Sequence, residues 1–122
     1  MSRVLIIDDE PEIRTLVQRV LTGAGYETVV ASDGREGLRI QRKEPADIII
    51  TDLIMPGQEG LETIIEIRRL FPKTKIIAMS GGGHGGVIDF LPMASQLGAT
   101  RTISKPFTQE HLLTAVREVM AG

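Results

Sequence analysis

The sequence predicts an α/β fold in which helices cover both faces of a five-stranded parallel sheet. Five short apolar or β-branched runs alternate with five stretches whose apolar residues recur every three or four positions. Runs that are apolar almost throughout, rather than at alternate positions, are typical of strands buried on both faces. Strictly alternating strands and helices favour a doubly wound sheet with right-handed crossovers.

The first strand is predicted at residues 4–7, directly before the acids Asp8, Asp9 and Glu10. Pro11 suits the first turn of a helix, and Asp9 or Glu10 is expected near its cap. The apolar residues that follow recur at helical spacing until glycines end the helix. They are Ile13, Leu16, Val17, Val20 and Leu21.

The second strand is predicted at residues 27–31. Either Ser32 or Asp33 is placed to cap a second helix, which continues to about Arg42. A proline then separates this helix from the third strand.

The third strand, over residues 47–52, is apolar until it ends on an acid, Asp52, and a Pro-Gly pair then breaks the backbone. A third helix is predicted from Gly60 to the residues before Pro72. The apolar positions of this helix are Leu61, Ile64, Ile65, Ile67 and Leu70.

The last two strands are predicted at residues 75–80 and 101–104, with a glycine-rich loop and a helix ending at Gly98 between them. Thr108 is expected to cap the final helix. The predicted inner face of that helix is Leu112, Leu113, Val116, Val119 and Met120.

The composition is that of one ordinary globular domain, with 122 residues, 42% hydrophobic and 25% charged. No apolar run approaches the ~20 residues of a membrane helix, and early charged residues argue against a signal peptide. The absence of Cys excludes thiolate chemistry, and a net charge of −2 offers no general attraction for nucleic acid. We therefore expect a single cytoplasmic domain over residues 1–122, without an output domain, a membrane segment or a nucleic-acid partner.

Polar residues end several of the predicted strands: Asp8 and Asp9 the first, Asp52 the third, Ser80 the fourth and Lys105 the last. In a doubly wound sheet these ends converge on one edge. Three carboxylates in one crevice repel one another, and an all-oxygen set of ligands with room for water suits Mg²⁺. Taken singly, the acids are equally well explained as helix caps, but the whole set favours a site.

Asp52 is the candidate nucleophile of this site. A carboxylate can attack phosphorus and form an aspartyl phosphate. That chemistry needs the charge on the transferring oxygens neutralised, which Mg²⁺ and Lys105 would do, while the Ser80 hydroxyl would donate to another oxygen. Ser80 alone is equally well explained as a turn residue at a strand end.

Together these motifs resemble the receiver domain of two-component response regulators, of the stand-alone chemotaxis kind. The motifs are residues 4–10, Asp52 to Gly57 with Gly60, Ser80, and Lys105-Pro106-Phe107. The resemblance covers essentially the whole chain. It implies a flavodoxin-like fold with strand order 2-1-3-4-5 and five helices.

The resemblance also implies residue roles in an Mg²⁺ site. Asp52 would be the phosphorylation site, and Asp8 and Asp9 would form the acidic pocket for the metal, with Asp9 the more direct ligand. Asp52 and the backbone carbonyl of Ile54 would supply further metal oxygens.

Ser80 and Lys105 would hold the phosphoryl group, and the Lys105–Pro106 peptide bond is expected to be cis by the same resemblance. Family members often carry a Tyr or Phe three positions before this lysine, as a switch. Here that position is Thr102, which cannot swing a ring between buried and exposed positions, so the aromatic relay is in doubt.

The implied function is phosphorelay signalling rather than enzymatic turnover. A histidine kinase or phosphotransfer protein would donate the phosphoryl group, and the last strand with the last two helices would contact a downstream protein. The protein would catalyse only its own phosphorylation and a slow dephosphorylation. Slow loss is expected because Ile54 and Gly82, near the approach of water, offer neither acid nor amide to orient it.

Three other interpretations remain. Gly81, Gly83 and Gly86 satisfy the GxGxxG spacing of dinucleotide sites, but the acid expected about twenty residues later is missing. A phosphohydrolase of the haloacid dehalogenase type needs two acids spaced two apart, whereas Asp8 and Asp9 are adjacent. A degenerate receiver that only contacts proteins is favoured by Thr102 and opposed by the intact acids.

The loop of residues 81–86 is interpreted either as a phosphoryl-gated order–disorder switch or as a plain surface loop.

Overall fold

The computed structural model describes residues 2–53, 59–80 and 95–121. The strands are β1 (Arg3–Ile7), β2 (Glu27–Ala31), β3 (Ile48–Asp52), β4 (Lys75–Ser80) and β5 (Arg101–Ser104). The helices are α1 (Pro11–Gly23), α2 (Gly34–Lys43), α3 (Glu59–Leu70) and the C-terminal helix (Gln109–Ala121). Residues 95–97 are also helical, at the end of the range in which the fourth of the five helices is predicted. The remainder of that range lies outside the described residues.

The sheet confirms the predicted fold class. All four neighbouring strand pairs are parallel, and the strand order is β2-β1-β3-β4-β5. The chain therefore moves outward to β2, returns across β1 to β3, and continues to β5. Because the order reverses next to β1 and β3, the carboxyl ends of these strands border the crevice in which open α/β sheets bind their ligands.

The central strands are apolar throughout because successive side chains enter different hydrophobic cores. In β1, Leu5 and Ile7 pack with residues of α2 and α3, whereas Val4 and Ile6 pack with residues of α1 and the C-terminal helix. Every side chain of β3 is buried, including the two polar residues at its end, Thr51 and Asp52. The sheet is therefore a stiff support for the groups at its carboxyl edge.

The helix caps match the predictions in part. Asp33 caps α2 and accepts a hydrogen bond from Glu36 N at 2.8 Å, and Thr108 accepts one from His111 N at 3.0 Å at the start of the C-terminal helix. At the start of α1 the N-cap residue is Glu10, but its side chain makes no capping hydrogen bond. The carboxylate of Glu10 has a different partner, described below.

The predicted apolar faces of the helices are wrong at three positions. Leu16 in α1, Ile65 in α3 and Met120 in the C-terminal helix are exposed, at 48%, 44% and 40%. The buried stripes are narrower than the helical repeat suggests, and in the C-terminal helix Ala115 takes an inner position. The angle at which each helix packs on the sheet decides this, because residues at the border of an apolar stripe can lie on either side of it.

The start of α3 lies unusually close to the end of β3. A Cβ atom on Gly60 would lie 2.6 Å from Leu53 Cα and 2.8 Å from Leu53 O, and would also contact the Asp52 carbonyl. Only glycine allows this approach, which holds the backbone that follows Asp52. Within the described ranges, every helix is too short or too polar to cross a membrane.

Candidate functional site

The acids and the serine that end the strands are buried side by side at the carboxyl edge of the sheet. Asp8 follows β1, Asp52 ends β3 and Ser80 ends β4, and their exposed fractions are 0%, 2% and 0%. β3 lies between β1 and β4 in the sheet, so the three side chains come from three adjacent strands. Buried carboxylates need partners, because an isolated charge loses several kcal/mol of hydration.

Both the side chain and the backbone of Asp8 are hydrogen-bonded. Its Oδ1 accepts a hydrogen bond from Glu10 N at 2.9 Å, and its Oδ2 accepts one from Lys105 Nζ at 3.0 Å. Its backbone carbonyl accepts from Arg14 Nη1 at 2.7 Å, and its backbone N–H donates to the carbonyl of Ala31 at 3.2 Å. Asp8 therefore joins the end of β1 to the start of α1 and to the segment after β5.

Lys105 supplies the positive charge of the site. Its Nζ lies 3.0 Å from Asp8 Oδ2, 3.4 Å from Asp52 Oδ2 and 3.6 Å from Glu10 Oε1. Only 13% of the Lys105 side chain is exposed. Burial acts to lower the pKa of Lys105, but the charges of Asp52, Asp8 and Glu10 outweigh it and raise the pKa above the ordinary 10.5. The side chain is therefore a fixed cation at neutral pH.

The backbone fixes where this cation stands. Lys105 N donates to the Ser80 carbonyl at 2.6 Å, which ties the residue to the end of β4. The Lys105–Pro106 peptide bond is cis, as expected. Lys105 therefore reaches the site from the segment after β5, an edge strand, whereas Asp8 reaches it from the end of β1.

Four carboxylates form what we call the acidic cluster: Asp8, Asp9, Glu10 and Asp52. One oxygen from each lies within 4.8 Å of the others, Asp8 and Asp52 being buried and Asp9 and Glu10 exposed. Four carboxylates face one ammonium group, so negative charge is in excess. An all-oxygen set that is buried on one side and open to solvent on the other fits a hard divalent cation that keeps some of its water, as Mg²⁺ does.

Two further predicted positions lie on the neighbouring strands. Ser80 stands opposite Ser104 in the β4–β5 pair, and Thr102 stands opposite Ala78. Thr102 is half-buried, a small side chain at the position where the resemblance leads one to expect a ring. Ile54 and Gly82 lie outside the described residues, as does the loop 81–86 with its GxGxxG spacing.

Sequence reasoning missed two participants. Glu10 was expected only near a helix cap, yet its carboxylate belongs to the acidic cluster and contacts Lys105. Arg14 was not singled out, yet it binds the Asp8 carbonyl. Glu10 had a usable signal, since it is the third acid in a row after a strand. Arg14 had only its position one helical turn after Glu10, which is shared by many surface residues.

Comparisons with known proteins point to one family. The profile of the response regulator receiver domain matches residues 4–117. The chain is 30% identical over 119 residues to sporulation initiation phosphotransferase F of Bacillus subtilis, covering 98% of this chain and 94% of that protein. It resembles the crystal structure of the chemotaxis protein CheY4 of Vibrio cholerae with a TM-score of 0.87 and 34% identity, over 98% of both chains.

Other relatives are much longer. The transcriptional regulatory protein GlrR of Escherichia coli is 31% identical over 119 residues, which are 98% of this chain but only 26% of that protein. The chain therefore spans about a quarter of the length of some curated relatives and nearly all of others.

Proposed function

The chain belongs to the response regulator receiver family, and from this premise we propose that it accepts a phosphoryl group on Asp52 from a histidine kinase or a phosphotransfer protein. Receiver domains are phospho-accepting signalling modules of two-component systems rather than classical enzymes. The observation that supports the assignment to Asp52 is its position. It is a buried carboxylate at a strand end, 3.4 Å from the ammonium group of Lys105 and within the acidic cluster.

The transfer forms one bond and breaks one. A carboxylate oxygen of Asp52 bonds to phosphorus, the bond between phosphorus and the donor atom breaks, and the donor leaves with the electron pair. The ammonium group of Lys105, 3.4 Å from Asp52 Oδ2, would neutralise charge on an oxygen of the arriving group. Ser80, buried at the end of the adjacent strand, offers a hydroxyl donor on the same edge.

Receiver domains generally bind Mg²⁺ at an acidic pocket, and the donor set here fits that ion. We assign Asp9 and Asp52 as the direct carboxylate ligands, with the Ile54 carbonyl as a further oxygen. Asp8 supports them, because both of its carboxylate oxygens already accept hydrogen bonds. When bound, the cation supplies neutralising charge to the phosphoryl oxygens.

Phosphorylation is expected to shift a two-state equilibrium on the surface formed by β5, the C-terminal helix and the helix that ends at residue 97. On this surface Arg101 of β5 pairs with Glu118 of the C-terminal helix. A downstream protein would bind here. A cytoplasmic location, and the absence of nucleic-acid and membrane partners, stay predictions.

The test is mass spectrometry of the intact protein after incubation with acetyl phosphate and Mg²⁺. The wild type should gain one phosphate, and Asp52→Asn should gain none. Asp47→Asn is the matched control, because Asp47 is an exposed acid beside the opposite end of β3, and it should gain phosphate like the wild type. Removing divalent ions with EDTA should abolish the adduct.

Absence of an adduct on the wild type would contradict the proposal and favour the degenerate receiver. Slow dephosphorylation has its own check, a time course of phosphate loss beside Ile54→Asn. The amide should hasten the loss by orienting water, and an unchanged rate would contradict that part of the proposal. The dehalogenase-type hydrolase is not favoured, since the relatives described above are a transcriptional regulatory protein, a sporulation phosphotransferase and a chemotaxis protein.

A further inference from the structure

Glu10 stands at the N-cap of α1 without using its side chain as a cap. Caps are usually Ser, Thr, Asp or Asn, whose short side chains reach back to the first N–H groups of a helix. The backbone N–H of Glu10 donates instead to Asp8 Oδ1 at 2.9 Å, and this bond fixes the start of the helix against the site. The carboxylate of Glu10 points toward Lys105, with Oε1 3.6 Å from Nζ.

The three carboxylates around Lys105 form a gradient from the interior to solvent. Asp8 is nearest to Nζ, at 3.0 Å, and its side chain is fully buried; Asp52 follows at 3.4 Å and is 2% exposed. Glu10 is farthest, at 3.6 Å, and its side chain is 62% exposed. An ammonium group has three donors on a flexible four-carbon stem, so small rotations of the stem redistribute its contacts among the three acids.

A divalent cation bound at the acidic cluster would change this balance. The cation and the ammonium group would attract the same carboxylates, Asp8 and Asp52, and would repel each other at short range in a partly buried site. The ammonium group would then have to move away from the cation while keeping a counterion. Glu10 is the one member of the acidic cluster that both contacts Lys105 and lies at the solvent-facing side of the site.

We propose that Glu10 is a positioning residue for Lys105: its carboxylate receives the ammonium group when a divalent cation occupies the acidic cluster. The inference rests on the proposed function, since it requires a cation site there. It gives Glu10 a role distinct from that of a metal ligand. Glu10 favours cation binding by accepting the competing positive charge, and it keeps Lys105 at the entrance, where a phosphoryl group would arrive.

A double-mutant cycle separates this role from direct coordination. The variants are Glu10→Gln, Lys105→Met and the double variant, each checked for folding by circular dichroism. The probe is Mn²⁺, a hard divalent ion that prefers oxygen ligands, and the free ion is followed by its paramagnetic resonance. With Lys105 present, Glu10→Gln should weaken Mn²⁺ binding roughly three- to fivefold, the size of one partly exposed ion pair. With Met at position 105 the same substitution should change the affinity by less than about 1.5-fold, because no ammonium group is left to receive.

Equal weakening in both backgrounds would overturn the inference and make Glu10 a ligand or a plain charge near the ion. Failure of the wild type to bind Mn²⁺ at all would instead contradict the proposed function, and the inference would fall with it. If Lys105→Met does not fold without the ion, Lys105→Gln, which keeps a hydrogen-bond donor toward Asp8, replaces it in the cycle.

Two further variants complete the experiment. Glu12→Gln removes an equal charge from the exposed first turn of the same helix, and it should leave Mn²⁺ affinity within about 1.5-fold of the wild type because solvent and salt screen it. Glu10→Asp keeps the charge on a shorter stem and should restore at least half of the affinity lost in Glu10→Gln. A loss in Glu12→Gln as large as that in Glu10→Gln would overturn the inference.

Discussion

At the level of single residues, Lys105 and Asp8 show how the site tolerates a buried carboxylate and still keeps an excess of negative charge. A fully buried carboxylate is tolerated because its two oxygens accept hydrogen bonds from Lys105 Nζ and Glu10 N. The neighbouring carboxylates of Asp9, Glu10 and Asp52 repel one another and Asp8, and a bound cation would reduce this repulsion. The protein therefore holds one positive charge, that of Lys105, among four carboxylates.

Lys105→Met should lower the free energy of unfolding by about 3 kcal/mol in EDTA, because it removes the ammonium group that pairs with both Asp8 and Asp52. Added Mg²⁺ should recover more stability in this variant than in the wild type, since the ion no longer competes with an ammonium group. Urea unfolding at neutral pH, with and without Mg²⁺, measures both effects.

Lys73→Met is the control for this substitution, because Lys73 is an exposed residue of the α3–β4 loop. Its stability should stay within about 0.5 kcal/mol of the wild type and should not depend on Mg²⁺ beyond the wild-type response. A Lys105→Met variant as stable as the wild type in EDTA would contradict the view that the two buried acids depend on the ammonium group of Lys105.

At the level of elements, α3 is seated against the end of β3 by the absence of a side chain at Gly60. Gly60→Ala should lower the free energy of unfolding by about 2 kcal/mol or more, because the new Cβ would meet the backbone of Asp52 and Leu53, which cannot rotate away. Gly23→Ala is the matched control, since nothing lies within 4 Å of the added atom at the end of α1. It should leave stability unchanged or raise it by up to about 1 kcal/mol. Equal effects in urea unfolding would contradict the close approach.

The buried side-chain amide of Gln41 joins α2 to two other segments, at the end of the sheet opposite the acidic cluster. Gln41 of α2 accepts a hydrogen bond from Ala46 N at 2.8 Å, and its Nε2 donates to Ala46 O and Thr74 Oγ1, each at 3.2 Å. Its side chain is fully buried, so the segments before β3 and β4 are held to the helix without solvent. Sequence reasoning did not identify this residue, because a glutamine beside two basic residues looks like part of a solvated helix face.

Gln41→Ala should therefore cost about 3 kcal/mol of unfolding free energy, because it leaves buried backbone groups unpaired and a cavity behind them. The neighbouring exposed Arg42 provides the control, and Arg42→Ala should change stability by less than about 0.5 kcal/mol. Urea unfolding of the two variants side by side decides the question. Similar small losses in both would show that water replaces the amide.

For the whole molecule, the topology predicts an uneven distribution of stability. Among the strands of the described residues, β1, β3 and β4 each pair on both sides, whereas β2 and β5 pair on one side only. Hydrogen exchange followed by mass spectrometry should therefore find the slowest amides in the three central strands, and opening at β2 and β5 at a lower free energy. Edge strands that exchange as slowly as β3 would contradict this expectation.

Much of this architecture was predictable because local patterns carry it. The bounds of β2, β4 and β5 agree with the predicted ranges, and β3 begins one residue later than predicted. Apolar runs of strand length and the caps at Asp33 and Thr108 are properties of neighbouring residues, so the chain itself records them. The exposed Leu16, Ile65 and Met120 were not predictable in this way, because the packing angle of a helix is not a local property.

The sequence by itself determined the fold class, the polar residue types at the strand ends and the family resemblance. Those features depend on residue type and on the order of short segments, both of which can be read along the chain. Only the tertiary structure decided which carboxylates the ammonium group of Lys105 contacts. Lys105 reaches Asp8 across 97 positions of sequence, and Glu10 becomes its third partner only because α1 starts beside the segment that follows β5. Contacts between distant segments require whole elements to be positioned to within a fraction of the length of a side chain. No local sequence pattern encodes that placement.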